Sequence, residues 1–180
     1  SATFRADGSS KFGKNNKWGY FPAVSAAWRV GEEDFIKKLN VFSDLKFRIG
    51  YGLAGNNRIG SYNSLALMSS IVTAMGDQLT PGYASKQIPN PDLKWEVKHT
   101  FNTGIDVALF GNRLLLSANY YNSRTTDMLY LYNVSVPPFT YNTLLANIGS
   151  MRNWGTEIAI GITPLKTKDM ELNINANITF

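Results

Sequence analysis

The chain contains no cysteine and a single histidine in 180 residues. Without thiols there is no disulfide framework, no thiolate metal site and no cysteine nucleophile. With His99 alone, a His-rich metal site or a pair of imidazoles is excluded too. Charge is scarce: Asp, Glu, Lys and Arg make up 17% of the residues, against about 25% in an average soluble domain. The net charge of +5 is scattered, and Lys37-Lys38 is the nearest approach to a basic run. A nucleic-acid partner, which needs positive charge concentrated on one face, is not expected. No apolar run reaches the roughly 18 residues of a membrane helix, and no signal peptide opens the sequence.

Apolar residues are plentiful at 44%, which argues against disorder, and aromatics include 9 Tyr, 10 Phe and 4 Trp. Their order along the chain is the main signal. From Lys94 to Leu109 the residues Trp95, Val97, His99, Phe101, Thr103, Ile105, Val107 and Leu109 alternate with Lys94, Glu96, Lys98, Thr100, Asn102, Gly104, Asp106 and Ala108. A strand separates these two sets onto opposite faces, whereas a helix mixes them. The same period of two runs through Leu45 to Leu53, Trp18 to Val30, Trp154 to Ile162 and Leu172 to Phe180, and less cleanly through Leu114 to Thr126. With a partial strand at Ala2 to Arg5, the fold class is all-β, with about seven antiparallel strands. The chain begins and ends inside strand-like segments, so it is expected to be part of a longer protein.

The connections differ sharply in length. Gly111-Asn112 and Lys166 to Asp169 are short turns, whereas Ala54 to Asp92 and Leu129 to Ala146 are long and rich in Asn, Ser, Pro and Tyr. Gly31 to Asp44 is expected to hold a short helix, Glu32 to Leu39, with acidic residues at its start and lysines at its end. Short turns on one side and long loops on the other is the layout of an outer-membrane barrel. The strands also reach the roughly 9–11 residues that a tilted spanning strand needs, more than the usual 5–6 of soluble strands. Trp18, Trp95 and Trp154 sit at one end of their apolar faces and Trp28 at the other. They are expected to form aromatic belts at the two membrane interfaces.

The stretch Arg5 to Val30, with Lys14-Asn15-Asn16-Lys17-Trp18-Gly19-Tyr20-Phe21-Pro22-Ala23 at its centre, resembles the middle of the barrel of SusC/RagA-type TonB-dependent transporters. Three further stretches look like the same family in the same order. They are Leu45 to Gly52 with Gly55-Asn56, then Asn90-Pro91-Asp92-Leu93-Lys94-Trp95-Glu96, then Asn147 to Glu157. The resemblance implies a transmembrane barrel of about 22 strands, of which this chain supplies a fragment. It also implies an outer-membrane location and TonB-powered import of an oligosaccharide or a peptide. A SusD-like surface lipoprotein would be the partner, and the plug domain and signal peptide would lie outside this chain. No cofactor and no enzymatic activity are implied.

The candidate contact residues for substrate or partner are Tyr130, Tyr132, Phe139 and Tyr141, because aromatic rings stack on sugars and anchor interfaces. The apolar stretch Leu65 to Met75 reads as a short loop helix facing the lipoprotein. Glu96, Asp106 and Glu157 on the polar faces are candidates to line a channel or to pair with Lys94, Lys98 or Arg152. Two other readings remain open at this point. A soluble β-sandwich that binds carbohydrate would also alternate, with one face in its core. Gly50-Tyr51-Gly52-Leu53-Ala54-Gly55 also fits a dinucleotide fingerprint, if a helix opens at its third glycine.

Overall fold

The computed structural model describes residues 1–180. Seven strands form one antiparallel sheet: β1 (Ala2–Gly8), β2 (Trp18–Trp28), β3 (Phe42–Asn56), β6 (Glu96–Leu109), β7 (Leu114–Thr126), β10 (Ser150–Lys166) and β11 (Glu171–Thr179), hydrogen-bonded in that order. The remaining strands make two separate hairpins, β4 (Met68–Met75) with β5 (Gln78–Ser85), and β8 (Leu129–Asn133) with β9 (Thr143–Asn147).

Each strand pairs with the next strand of the sheet, so the chain runs up and down without crossovers. At one end the sheet is closed by residues 29–41, 110–113 and 167–170. At the other end stand residues 9–17, 57–95 and 127–149, the last two carrying the hairpins. The tight turn after β6 is made by Phe110, Gly111 and Asn112, all in the left-handed region, which glycine and asparagine tolerate best.

Register decides which side chains share a face, because cross-strand partners point the same way. One row joins Phe47, Ile105, Ala118, Ile158 and Ile178, and the next joins Val107, Leu116, Ile160 and Ala176. The opposite face carries Arg48, Gly104, Asn119 and Glu157, then Lys46, Asp106, Ser117 and Asn177. The two alternating sets expected of each strand thus become two continuous faces, one apolar and one polar.

The sheet is one layer thick. Only 15 of 180 residues are buried, and every residue of β11 is exposed. A β-sandwich needs a second sheet over the apolar face, and the two small hairpins are the only other sheets. The sandwich reading is therefore set aside. The dinucleotide reading falls as well, because β3 continues as extended chain through Gly50, Gly52 and Gly55 to Asn56. No helix opens at the third glycine to meet a phosphate.

Two local expectations are corrected. Leu65 to Met75 is not a helix. All of it from Met68 onward is β4, and a short apolar run of this kind does not distinguish strand from helix by periodicity. The helix expected at Glu32 to Leu39 is broken into a 3-10 turn at Val30–Glu32 and a single α-helical turn, α1 (Asp34–Lys37). Glu33 between them is extended, with φ −76° and ψ 141°. Lys37 Nζ lies 3.1 Å from Glu32 Oε2 and holds that carboxyl below its ordinary range.

The only packed apolar core lies at the loop end. Pairing between β2 and β3 stops at Ala23–Gly52, whereas β1–β2 pairing runs on to Gly8–Trp18 and β3–β6 pairing to Asn56–Glu96. Phe12, Phe21, Ile59, Leu93 and Trp95 fill the gap where β2 and β3 part. Trp95 meets Phe12 at 5.3 Å and Phe21 edge-on at 5.5 Å between ring centroids. Phe12, at 2% exposure, anchors the 9–17 loop in this cluster. Phe12→Ala is expected to lower the local opening free energy of residues 9–17 by about 3 kcal/mol. Amide hydrogen exchange of the full-length protein reads this directly, with the rows of the main sheet unaffected.

Candidate functional site

The polar face holds one connected side-chain network at mid-strand. Arg48 on β3 grips Asp106 on β6 through two bonds, Nε to Oδ2 at 2.7 Å and Nη2 to Oδ1 at 2.8 Å. Its Nη2 also donates to Asn119 Oδ1 at 2.9 Å, and Ser117 Oγ donates to Asp106 Oδ1 at 2.8 Å. Gly104 makes this possible: a Cβ there would lie 2.4 Å from Asn119 Oδ1 and 3.2 Å from Arg48 Nη2. The two charged partners are little more than half covered, so the arrangement is a solvated brace across three strands. Such a brace orients donors and acceptors along a wet wall.

The expected partners of Asp106 are thereby corrected. It binds Arg48, a residue far away in sequence that the register brings alongside. Glu96 also takes no lysine. It accepts from the Leu129 amide at 3.2 Å and from Asn56 Nδ2 at 3.3 Å. Lys94 pairs instead with Asp127 at 2.9 Å. Glu157 stays on the polar face beside Asn119 and Tyr121, in an open depression of ≈ 790 Å³ that includes Arg48 and Asn102.

At the loop end the stretches that carry the family resemblance lock onto one another. Asn147 accepts from the Lys94 amide at 2.9 Å and donates to the carbonyls of Lys94 and Asp127, both at 2.8 Å. Asn90 donates to the Leu145 carbonyl at 2.8 Å, and Asn16 to the Asp92 carbonyl at 3.2 Å. Gly13 packs so closely on Pro91 that a Cβ would sit 2.0 Å from its carbonyl oxygen. Trp95 Nε1 donates to the Lys17 carbonyl at 3.3 Å. These contacts make a collar from which both hairpins rise.

The four candidate contact residues fall on the β8–β9 hairpin and its tip. Tyr130 and Tyr132 are exposed and share one face of β8, while Phe139 is exposed in the 134–142 turn. Tyr141 is half-buried, and its hydroxyl donates to the Ser85 carbonyl, joining the two hairpins. Sequence reasoning missed the β4–β5 hairpin. Its register puts Met68, Val72, Leu79 and Tyr83 on one face, all exposed. Alternation along Met68 to Met75 was the available signal, weakened by Ser69-Ser70 and Ala74.

Of the four tryptophans, Trp18, Trp28 and Trp154 project from the apolar face and are exposed. Trp28 Nε1 donates to Glu33 Oε1 at 3.0 Å. Trp95 does not join them. It is 8% exposed and belongs to the cluster between β2 and β3. Its alternation with Val97 continues the pattern of β6, but β6 itself starts one residue later, and before it the backbone follows the collar.

A single-layer, up-and-down sheet with one apolar face, one polar face and loops gathered at one end is a section of a large β-barrel wall. The family model "TonB dependent receptor-like, beta-barrel" matches residues 1–180, and the chain belongs to that family. TonB-dependent receptor P39 of Formosa agariphila is 38% identical over 100% of this chain and 17% of its own length. TonB-dependent receptor SusC of Bacteroides thetaiotaomicron is 36% identical over 99% of the chain and 18% of its own length. The structure of the RagAB peptide importer in its open-open state superposes with a TM-score of 0.86 at 32% identity, covering 99% of this chain and 19% of that one. The chain thus spans less than a fifth of the relatives it matches.

The brace on the polar face yields a measurable expectation. In a double-mutant cycle with Arg48→Gln and Asp106→Asn, the coupling is expected near 1 kcal/mol, because both partners are solvated. Reversible unfolding of the full barrel measures it, and a coupling of several kcal/mol would mean the pair is shielded in the assembled protein.

Proposed function

We propose that this chain is the wall and part of the loop face of an outer-membrane importer that takes up an oligosaccharide or peptide nutrient with a SusD-like lipoprotein. Energy would enter through the TonB complex, by way of parts of the protein outside this chain. The carrying observation is the apolar face to which all seven strands contribute. A sheet with unpaired edges at β1 and β11 is tolerated in hydrocarbon only when further strands complete the ring.

The height of that face supports the reading. Trp18 and Trp28 begin and end the same strand and point the same way. About ten residues at roughly 3.3 Å each give about 33 Å along the strand. At a tilt of about 40°, that is about 25 Å along the membrane normal, the height of an apolar barrel band between its aromatic girdles. Trp18 and Trp154 would mark the outer interface and Trp28 the inner one. Ile158→Arg is expected to destabilise the full barrel by roughly 2–4 kcal/mol and Asn175→Arg by much less. Equal losses in lipid-based unfolding would remove the assignment of faces.

The loops supply the contact surfaces. The exposed face of β4–β5 carries Met68, Val72, Leu79 and Tyr83, an apolar patch suited to a protein partner. This favours the lipoprotein there, in place of the helix expected from sequence. Tyr130 and Tyr132 offer ring faces for the nutrient, with Phe139 in the turn of the same hairpin. In the full-length receptor, the pair Val72→Asp and Leu79→Asp is expected to weaken co-purification of the lipoprotein at least tenfold. The pair Tyr130→Ala and Tyr132→Ala is expected to lower nutrient uptake while leaving co-purification intact. A reversal of these two effects would exchange the roles of the hairpins.

A further inference from the structure

At the loop end of the apolar face, one register row carries charge with nothing to balance it. Arg152 on β10 stands directly opposite Arg124 on β7, which stands opposite His99 on β6. The row below it joins Tyr51, Phe101, Asn122 and Trp154, the tryptophan that ends the apolar face on β10. Like charges facing each other across strands destabilise a sheet. Other charged residues do find partners, among them Arg5 with Asp7, Arg48 with Asp106 and Lys94 with Asp127. Arg124 and Arg152 take part in no ion pair.

The two guanidiniums line an open depression of ≈ 500 Å³ together with Tyr51, His99, Asn122 and Ser150. Arg152 is aimed by a bond from its Nε to Asn122 Oδ1 at 3.0 Å, and His99 Nδ1 is bonded to the Tyr51 hydroxyl at 2.9 Å. All the charge in the depression is positive or neutral. A guanidinium fork matches a phosphate in geometry as well as charge. Just above the girdle is where phosphate-bearing headgroups lie, so their acyl chains would rest on Phe101 and Trp154 below.

We propose that Arg124 and Arg152 form a binding site for the anionic phosphate headgroup of a membrane lipid, on the outside of the barrel wall at its loop end. This rests on the barrel reading given above. The site is built by two strands that pair with each other, so it exists only when β7 and β10 are in register. A bound headgroup would relieve the Arg–Arg repulsion and staple the wall where the long loops begin.

The test uses the full-length receptor, extracted from membranes in a nonionic detergent. It is titrated with phosphatidic acid and with phosphatidylcholine, and retained lipid is read by native mass spectrometry. Phosphatidic acid is expected to be retained preferentially. The R124Q/R152Q variant is expected to bind it about tenfold more weakly or worse, at roughly a few-fold to tenfold per arginine. R124K/R152K keeps the charge but loses the fork and is expected to fall between. K98Q, at a similar height on the polar face, should leave retention unchanged. A membrane-inserted R124Q/R152Q that retains lipid like the parent overturns the site while the barrel reading stands. Inorganic phosphate displacing the lipid at equal concentration overturns the lipid source in favour of a free-anion site. A parent protein found in the soluble fraction overturns both readings together.

Discussion

Backbone hydrogen bonding across neighbouring strands is the constraint on which the rest of this structure depends. The sheet has no second layer, so packing cannot hold its strands in place as it does in a sandwich. What remains is the ladder. Pairing between β3 and β6 runs from Phe42–Leu109 to Asn56–Glu96 with one irregularity near Ser43. Pairing between β7 and β10 runs without a shift from Thr126–Ser150 to Leu114–Ile162. A slip by one residue would put Arg48 and Asp106 on the apolar face and Phe47 and Ile105 on the polar one. In hydrocarbon such a slip would expose charges to lipid, so the membrane itself would enforce the register.

Where the ladder gives out, packing takes over. Beyond Ala23 and Gly52 the strands β2 and β3 are no longer bonded, and the freed space is taken by Phe12, Phe21, Ile59, Leu93 and Trp95. The same region is crossed by side-chain bonds from Asn16, Asn90 and Asn147 to backbone carbonyls. Asparagine suits this work because one amide both donates and accepts, and so satisfies a chain that has left its sheet. The collar therefore converts a two-dimensional sheet into a base firm enough to hold two hairpins. Tyr141 then ties one hairpin to the other.

The seven strands and their faces were legible in the sequence because alternation is a local property. Leu114 to Thr126 was expected as written, and the others shift by a few residues at their ends. What depends on register was not legible. Arg48 and Asp106 are 58 positions apart, and no local pattern joins them. Nor do the arginines at 124 and 152 announce that they face each other. Trp95 shows the opposite failure. Its alternation with Val97 and His99 is real, but the strand has not begun, and burial is set by Phe12 and Phe21 from distant segments. Leu65 to Met75 failed for a third reason, since a short apolar run fits either period and only its pairing with Gln78 to Ser85 decides.

The family was readable and what meets the loop face was not, and the structure gives one physical reason for both. The stretches that carry the resemblance, around Asn16, Asn90 to Trp95 and Asn147, are those whose side chains bind one another in the collar. Each such residue has partners within the chain, so its identity is tied to the geometry of the collar. Gly13 illustrates the tightness, with the Pro91 carbonyl where a Cβ would stand. Tyr130, Tyr132, Val72 and Leu79 differ in kind. Their side chains are exposed at the hairpins, and nothing that they pack against within the chain fixes their identity. A sequence records such a partner only as a surface without a stated complement. The fold can therefore be derived from residues that satisfy each other, whereas residues that the chain leaves exposed carry no such internal record of what they meet.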